Sequence, residues 1–234
     1  MAKLGGAGSK MNVIVFASRK GGSGKSMLAA HVAALASKRA SCLLIDADPQ
    51  GSLTLWHKLR GSGEPALRNG SRGVAELVKA AKREHEWAFV DTPPNMSAVV
   101  VDAIRAATLV IIPARLAVFD LAAIKETIEL ARNNRVPYAV VINAAPARRD
   151  NAESPFVTES REVISRLGIP VWAGQITNRA DYGYALGAGQ GVTEFDPRSQ
   201  AAAEIVSLWS AIDRSVKAIH GLYRNAGAMH RVAA

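Results

Sequence analysis

The sequence is poor in the residues that build covalent or metal-held scaffolds. Cys42 is the single cysteine among 234 residues. This excludes a disulfide framework, a cysteine-ligated structural zinc site and a four-cysteine iron–sulfur cluster held by one chain. No run of about 18 apolar residues occurs, so no membrane-spanning helix is expected. The amino terminus lacks an apolar segment followed by a cleavage site, so no signal peptide is expected. These absences favour a protein of a reducing cytoplasm.

Acidic residues are also scarce relative to basic ones. The chain has 29 lysines and arginines against 20 aspartates and glutamates, a formal net charge of +9. Residues 1–40 contain seven basic residues and no acidic one. A basic protein attracts polyanions, either nucleic acid or an anionic membrane surface. Solubility alone is the alternative explanation for this charge.

Hydrophobic residues make up 49% of the chain, which excludes wholesale disorder. Buried strands are predicted at Asn12–Ala17, Cys42–Ile45, Trp87–Val90, Leu109–Ile112, Tyr138–Ile142 and Ile169–Trp172. Helices are predicted at Lys25–Lys38, Ala98–Ala106, Leu121–Arg132, Pro155–Leu167 and Ala180–Leu186. Continuous apolar strands that alternate with amphipathic helices indicate an α/β, doubly wound and mostly parallel sheet with helices on both faces.

The predicted organisation is a flexible amino-terminal extension (1–11), a single domain (12–223) and a carboxyl-terminal tail (224–234). The glycine-rich segment Gly61–Gly73 is predicted to be a surface loop. Apolar residues between Ile205 and Tyr223 recur at three- and four-residue steps, which predicts a last helix with one apolar stripe. Arg214, Lys217 and Arg224 fall to one side of that stripe and give the helix a basic flank.

The segment after the first strand reads Lys20-Gly-Gly-Ser-Gly-Lys-Ser26 and opens a predicted helix. Glycines let backbone N–H groups approach phosphate oxygens, and the helix amino terminus adds a positive dipole end. In this context Lys25 would reach the β- and γ-phosphates, and Ser26 would ligate Mg²⁺. Where the ordinary phosphate loop has its first glycine, this chain has Arg19, followed by the additional lysine Lys20.

The loop is a deviant Walker A motif, and the chain resembles the ParA/MinD family of ATPases. Asp46-Ala-Asp48-Pro-Gln-Gly51 is similar to the family's D-x-D-P-Q-G motif, and Phe89-Val-Asp91-Thr-Pro-Pro94 to its Walker B strand. The stretch Leu186–Pro197 is similar to a late family motif, and the resemblance covers about residues 12–221. It implies a Mg²⁺-dependent ATPase fold and activity.

The resemblance also implies roles for single residues. Asp46 and Asp91 end strands and can orient Mg²⁺ together with Ser26, while Asp48 matches the carboxylate that positions the attacking water. Lys20 matches the signature lysine that reaches the partner's nucleotide in an ATP sandwich dimer, so Lys20, Lys25 and Asp48 are the implied catalytic residues. The implied ATP-binding residues are Gly21, Gly22, Ser23, Gly24, Lys25, Ser26 and Asn143, the last of them at adenine.

Because the loop starts at residue 20, the chain resembles the short ParA class, ParF-like proteins without an amino-terminal helix-turn-helix domain. We therefore expect a cytoplasmic, nucleoid-associated homodimer that binds double-stranded DNA without sequence preference and segregates or positions a plasmid, chromosome or protein cargo. A ParB-like or cargo-adaptor protein would stimulate its ATPase. The candidate DNA contacts are Arg198, Arg214, Lys217 and Arg224.

Two alternatives remain open. The first is a MinD-like membrane-associated switch, which needs an amphipathic carboxyl-terminal anchor. The segment after Tyr223 has only two large apolar residues, Met229 and Val232, which argues against membrane binding. The second alternative is a metabolic enzyme of the same fold, such as a reductase, a metal carrier or an amide ligase. Relatives that hold a metal through cysteines fit poorly, since Cys42 lies inside a predicted strand.

Overall fold

In the computed structural model, six parallel strands form one sheet in the order β3-β2-β4-β1-β5-β6. The structure describes residues 11–115, 120–150 and 152–232, without the side chains of residues 120–123 and 223–232. The strands are β1 (Asn12–Phe16), β2 (Cys42–Asp46), β3 (Ala66–Asn69), β4 (Trp87–Asp91), β5 (Leu109–Ala114) and β6 (Tyr138–Ile142). The helices are α1 (Lys25–Ala36), α2 (Ser52–Arg60), α3 (Ala75–Ala81), α4 (Ala98–Ala106), α5 (Asp120–Asn133), α6 (Pro155–Arg166), α7 (Ala180–Gly187), α8 (Val192–Phe195) and α9 (Gln200–Val232).

A separate hydrophobic core lies on each face of the sheet. Successive side chains of a strand point to opposite faces, and β1 shows this directly. Ile14 and Phe16 pack with α1, α7 and α9, whereas Val13 and Val15 pack with α4 and α5. This confirms the predicted doubly wound α/β fold, and it explains why the central strands read as continuous apolar runs.

Several short elements differ from the sequence prediction. The segment Gly61–Gly73, predicted as a loop, contains the edge strand β3, which pairs with β2. The predicted strand Ile169–Trp172 is not a strand, since it forms only the isolated bridge between Val171 and Val140. Helices α2, α3 and α8 were not predicted. These elements are short and partly exposed, so they lack the long apolar period on which the prediction relied.

The last helix is longer than its apolar stripe suggests. Helix α9 starts at Gln200 and continues through Val232, across the predicted boundary between domain and tail. Its buried face includes Ile205, Leu208, Ile212 and Val216, as the stripe predicted. Near its far end, the ring Nε2 of His220 lies 2.7 Å from the Asn12 side chain, at the amino end of β1. Within the described part of the chain, no helix is both long and apolar enough to span a membrane.

Candidate nucleotide and magnesium site

The predicted site residues follow strands that are neighbours in the sheet. Asp46 ends β2 and Asp91 ends β4, and the two residues are in register on adjacent parallel strands. Phe16, the last residue of β1, pairs with Asp91 on the other side of β4. The loop from Ala17 to Gly24 leaves β1 at this edge, and Asn143 directly follows β6. The fold thus brings the phosphate loop and both carboxylates to the carboxyl edge of the sheet.

Two glycines shape the phosphate loop. Gly22 and Gly24 have φ values of 70° and 100°, in the left-handed region that favours glycine. Gly24 also packs against the side chain of Asn143, and a Cβ at that position would collide with the Asn143 amide. Helix α1 begins at the next residue, so its free backbone N–H groups point into the loop. This is the arrangement that binds phosphate at a helix amino terminus.

Lys25 lies beneath the loop and is 6% exposed. Its Nζ donates to the backbone oxygens of Ser18, at 3.2 Å, and Lys20, at 3.3 Å. Burial lowers the pKa of Lys25, and the nearby carboxylates of Asp91 and Asp48 partly offset this effect. A buried ammonium that is held by two carbonyls can exchange them for the stronger phosphate oxygens of a ligand.

The two strand-end carboxylates are buried, and each has one oxygen already engaged. Asp91 Oδ2 accepts the Ser26 hydroxyl at 2.5 Å, and Asp46 Oδ2 accepts from both donors of Thr54. The Oδ1 atoms of Asp46 and Asp91 are buried and have no hydrogen-bond partner among the described residues. Burial raises the pKa of Asp91 to about 7, although the Ser26 hydrogen bond acts in the opposite direction. Buried carboxylate oxygens without a partner are unfavourable in free energy, and a bound cation would compensate this pair.

The residues at this edge fit Mg²⁺ better than a metal held by protein ligands alone. No group of three or more histidine, cysteine, aspartate or glutamate side chains is placed to hold a metal within residues 11–115, 120–150 and 152–232. Mg²⁺ binds through one or two carboxylates, while substrate phosphates and water fill its other positions. Ser26, Asp46 and Asp91 lie together at this edge, and their assignment as the residues that hold Mg²⁺ stays a prediction.

Asp48 lies in the connection between β2 and α2. It is half-buried, and its Oδ1 accepts the backbone N–H of Gln50 at 3.0 Å. It lines a cleft of about 390 Å³ together with Pro49, Gln50, Pro93 and Pro94. The cleft thus separates the segment after β2 from the segment after β4. A carboxylate that borders such a cleft can hold a water molecule, and its assignment as the water-positioning residue stays a prediction.

Lys20 and Arg19 form the start of the phosphate loop. Lys20 is half-buried, and Arg19 forms an ion pair with Glu126 on α5. Both members of that pair are more than 40% exposed, so the pair contributes little stability. The pair nevertheless connects the residue before the signature lysine to α5. The role of Lys20 across a dimer stays a prediction.

Asn143 supports the loop from below. It is 2% exposed, and its Nδ2 donates to the Ser23 carbonyl at 2.6 Å. Its Oδ1 is buried without a hydrogen-bond partner in the described part of the chain. The contact with the phosphate loop is therefore structural, while the free oxygen leaves an acceptor for an amino group of a ligand. The predicted contact of Asn143 with adenine stays a prediction.

The candidate DNA-binding residues do not belong to this edge. Arg198, Arg214 and Lys217 are exposed on α9 or immediately before it. Lys217 is paired with Asp213 at 2.6 Å, one turn earlier. The side chain of Arg224 lies outside the described residues. The structure therefore leaves Arg198 and Arg214 as the exposed candidates whose side chains form no ion pair with a described residue.

Two residues at the site were missed by the sequence analysis, Thr54 and Glu126. Thr54 is the third residue of α2, and its contact with Asp46 depends on where that unpredicted helix begins. Glu126 lies 107 residues from Arg19, and no local pattern connects them. The polar position soon after the D-x-D-P-Q-G motif was the available signal for Thr54. No such signal existed for Glu126.

Comparison with protein families decides the classification. The model described as the CobQ/CobB/MinD/ParA nucleotide binding domain matches residues 14–192, which contain the phosphate loop, Asp46, Asp48 and Asp91. The chain belongs to this family. The ParA/MinD resemblance inferred from the motifs is thereby confirmed, and the matched residues include the candidate site described above.

Curated relatives of this ParA/MinD-family protein align over most of its length. The "Maintenance of carboxysome distribution protein A" of Halothiobacillus neapolitanus is 28% identical over 211 residues, covering 86% of this chain and 95% of that protein. The "Chromosome partitioning protein ParA" of Caulobacter vibrioides is 26% identical over 263 residues, covering 89% of this chain and 98% of that protein.

Solved structures agree on the fold. An ATP complex of McdA from Cyanothece has a TM-score of 0.70 at 19% identity, covering 92% of this chain and 98% of that one. The septum site-determining protein MinD of Pyrococcus horikoshii, complexed with Mg-ADP, has a TM-score of 0.69 at 16% identity, covering 89% and 98% of the two chains. At these identities the likeness is one of fold.

Proposed function

We propose that this ParA/MinD-family protein is a Mg²⁺-dependent ATPase that dimerises on ATP, binds DNA without sequence preference and positions a cargo. The observation that carries the proposal is the pairing of a phosphate loop with two buried carboxylates that each have an unpaired oxygen. ATP would supply phosphates to the loop, and Mg²⁺ would supply a cation to the two carboxylates. The ATP and Mg-ADP complexes of structurally similar proteins support the choice of ligand.

The chain's own residues can carry out hydrolysis by positioning and charge neutralisation. Lys25 and the loop amides would hold the β- and γ-phosphates, while Ser26, Asp46 and Asp91 would hold Mg²⁺. When bound, Mg²⁺ would supply positive charge that neutralises the phosphates. Asp48 would hold a water in line with the γ-phosphorus. As the water oxygen bonds to that phosphorus, the bond from the phosphorus to ADP would break, and ADP, inorganic phosphate and a proton would be released. Phosphoryl transfer needs little more from a protein, because its transition state is stabilised mainly by charge and alignment.

Dimerisation would complete the site. Lys20 precedes Gly21 and Gly22, and a Cβ at either glycine would meet no atom within 4 Å. That open space lets a second phosphate loop approach closely. Lys20 would then supply positive charge to the partner's nucleotide, in the way an arginine finger acts in trans. The charge of the neighbouring Arg19 is offset by its ion pair with Glu126, so Lys20 is the residue that we assign to this role.

The DNA-binding part of the proposal rests on charge. The net charge is +9, and Arg198 and Arg214 are exposed on or next to α9. Lysines and arginines that contact phosphates bind any duplex, and each contact makes binding weaker in salt. A dimer would double the number of such contacts, so DNA binding should need ATP. We infer nucleoid association from the same argument, with Lys217 and Arg224 as further contacts.

The names of the relatives indicate what kind of cargo this protein positions. One relative is named for carboxysome distribution and another for chromosome partitioning. Both names describe the placement of a large object inside a cell. We propose that this protein likewise positions a large cargo, a protein compartment or a DNA molecule, and that a ParB-like or cargo-adaptor partner stimulates its ATPase.

The test is a mobility shift on two unrelated duplexes, with and without ATP, at several salt concentrations. We expect an ATP-dependent shift of equal strength on both duplexes, with a log–log salt slope of about −0.9 per phosphate contact. Arg214, Lys217 and Arg224 changed together to Glu should weaken binding while ATP binding survives. The matched control changes the exposed Lys79, Lys82 and Arg83 to Glu, an equal loss of charge far from α9 in sequence.

A liposome sedimentation assay, run beside the mobility shift, tests the membrane alternative. ATP-dependent sedimentation with anionic liposomes, without a DNA shift at low salt, would contradict the DNA proposal and favour a MinD-like switch. A shift that the α9 variant leaves intact but the α3 control abolishes would keep the function and move the contact surface to the end of α3.

A further inference from the structure

The two oxygens of the Asp46 carboxylate have different surroundings. Oδ2 accepts the backbone N–H of Thr54 at 2.8 Å and the Thr54 hydroxyl at 2.7 Å. Oδ1 is buried and has no hydrogen-bond partner in the described part of the chain. Asp46 itself is 1% exposed. Thr54 thus provides both hydrogen bonds to Asp46 Oδ2, and Asp46 Oδ1 remains available to a ligand.

Thr54 connects the carboxylate to the start of α2. It is the third residue of that helix, and Gly51 at the N-cap position provides no side-chain hydrogen bond. Asp46 therefore takes the place of the missing cap, since a carboxylate is favourable at a helix amino terminus. The segment 47–51, which includes Asp48, lies between these two anchored residues. The two hydrogen bonds from Thr54 to Asp46 thus hold the carboxylate in place. They also join the residues on either side of the segment that contains Asp48.

We propose that Thr54 is a positioning residue for Mg²⁺, a role that rests on the proposed ATPase function. Its two donors hold Oδ2 and restrict rotation of the Asp46 carboxylate, which keeps Oδ1 as the oxygen available to a cation. Partners of metal-binding carboxylates orient the ligand, and their loss costs about 10–100-fold in metal affinity. The Thr54 hydroxyl belongs to this class of partner.

A purely structural role for Thr54 gives a different expectation. If Thr54 only completes the amino terminus of α2, its loss lowers the melting temperature and leaves the Mg²⁺ dependence of nucleotide binding unchanged. If Thr54 positions Asp46, the Mg²⁺ dependence changes more than the affinity for metal-free nucleotide. The two roles are therefore separated by measuring nucleotide binding across a range of Mg²⁺ concentrations.

The experiment compares Thr54→Val, which removes the hydroxyl and keeps the side-chain shape, with Thr54→Ser, which keeps the hydroxyl. Binding of a fluorescent ADP to the full chain is measured in excess chelator and at increasing Mg²⁺. We expect Thr54→Val to raise the half-saturating Mg²⁺ concentration about 10–100-fold. Affinity in chelator should be unchanged, and Thr54→Ser should behave like the parent. Thr158→Val is the matched control, because that hydroxyl contacts only the Ser154 carbonyl on α6.

Thr54→Ala removes the same hydroxyl and repeats the test if Thr54→Val fails to fold. Asp46→Asn keeps an oxygen for Thr54 and replaces the other oxygen by an amide nitrogen, so it should lose the Mg²⁺ effect and serves as the reference for a lost metal ligand. A parental Mg²⁺ dependence in Thr54→Val or Thr54→Ala, together with its loss in Asp46→Asn, would overturn the inference alone. A parent that binds ADP equally with and without Mg²⁺ would overturn the proposed function together with the inference.

Discussion

The carboxyl edge of the sheet and the exposed flank of α9 both carry charge, but in different physical settings. At the edge, Lys25, Asp46 and Asp91 are buried, and the two carboxylates each have an unpaired oxygen. Along α9, Arg214 is exposed and Lys217 is paired with Asp213 at the surface. A buried charge destabilises the folded protein unless an opposite charge or hydrogen bonds compensate it. An exposed charge stays hydrated and is screened by salt. The edge is therefore suited to one defined ligand, and the flank to any polyanion.

The largest expected effect on nucleotide affinity lies at the buried cation, Lys25. Lys25→Ala removes the only side-chain ammonium that we place on the phosphates within the same subunit. Truncating one member of a buried charge pair costs about 2–5 kcal/mol, which corresponds to roughly 30–5,000-fold in affinity. We expect ATP binding to become undetectable in a calorimetric titration at micromolar protein. Unchanged affinity would refute the assignment of the phosphate loop.

Asp48→Ala should separate binding from hydrolysis. A group that positions and activates water contributes about 100–10,000-fold to the rate, so turnover should fall by that factor while ATP affinity is retained. Phosphate release measures turnover, and the same calorimetric titration measures affinity. Glu76→Ala, which removes an exposed carboxylate on α3, is the control. Hydrolysis by Asp48→Ala at the parental rate would show that the water is held elsewhere.

Asp91→Asn should raise the unfolding free energy of the ligand-free protein. It should also weaken the effect of Mg²⁺ on nucleotide binding. The pKa of Asp91 is raised to about 7, above its usual value of 3.8, because burial disfavours the charged form. Ionised Asp91 therefore destabilises the native state at high pH, and this cost fades as pH falls from 7 towards 4. At pH 8 the variant should be more stable by an amount on the order of 4 kcal/mol.

The check is chemical denaturation of parent and Asp91→Asn at pH 8 and at pH 5 without nucleotide. The difference in unfolding free energy should be larger at pH 8. A difference that stays constant with pH, or one that grows as pH falls, would show that Asp91 is not the costly buried carboxylate.

The smallest effect is expected on α9. Lys217→Ala breaks a pair in which the lysine is 73% exposed, and such pairs contribute about 0–1 kcal/mol. The unfolding free energy should therefore change by no more than about 0.5 kcal/mol, while the salt slope of DNA binding becomes shallower. Denaturation at low and high salt measures the first quantity, and a mobility shift the second. A stability loss as large as that expected for a buried pair would remove the distinction between flank and edge.

The sequence predicted the parts of the fold and site that depend on local pattern. The central strands were found because they are continuous apolar runs, and the phosphate loop because its glycines and Lys25 have a fixed spacing. Asp46 and Asp91 follow from their positions at strand ends, where parallel strands bring them to one edge. These features need only the periodicity and the ends of elements, which the sequence contains.

The remaining features depend on contacts between distant or short elements. Strand β3 has four residues and helix α8 also has four, too few for a periodic pattern. The hydrogen bonds from Thr54 to Asp46 require knowledge that α2 begins at Ser52. The Arg19–Glu126 pair requires the packing of α5 beside the phosphate loop. Such contacts follow from tertiary packing, which no local pattern reports.

One measurement tests the central claim most directly: the solution mass of the protein by light scattering with ATP and Mg²⁺, with ATP and chelator, and without nucleotide. The account predicts that the mass doubles from that of the 24.8 kDa chain only with ATP and Mg²⁺. Asp48→Ala should keep the doubled mass for longer, and Lys20→Gln should bind ATP but remain a monomer. A protein that binds Mg-ATP and keeps the monomer mass, or a Lys20→Gln variant that dimerises and hydrolyses ATP like the parent, would contradict the account.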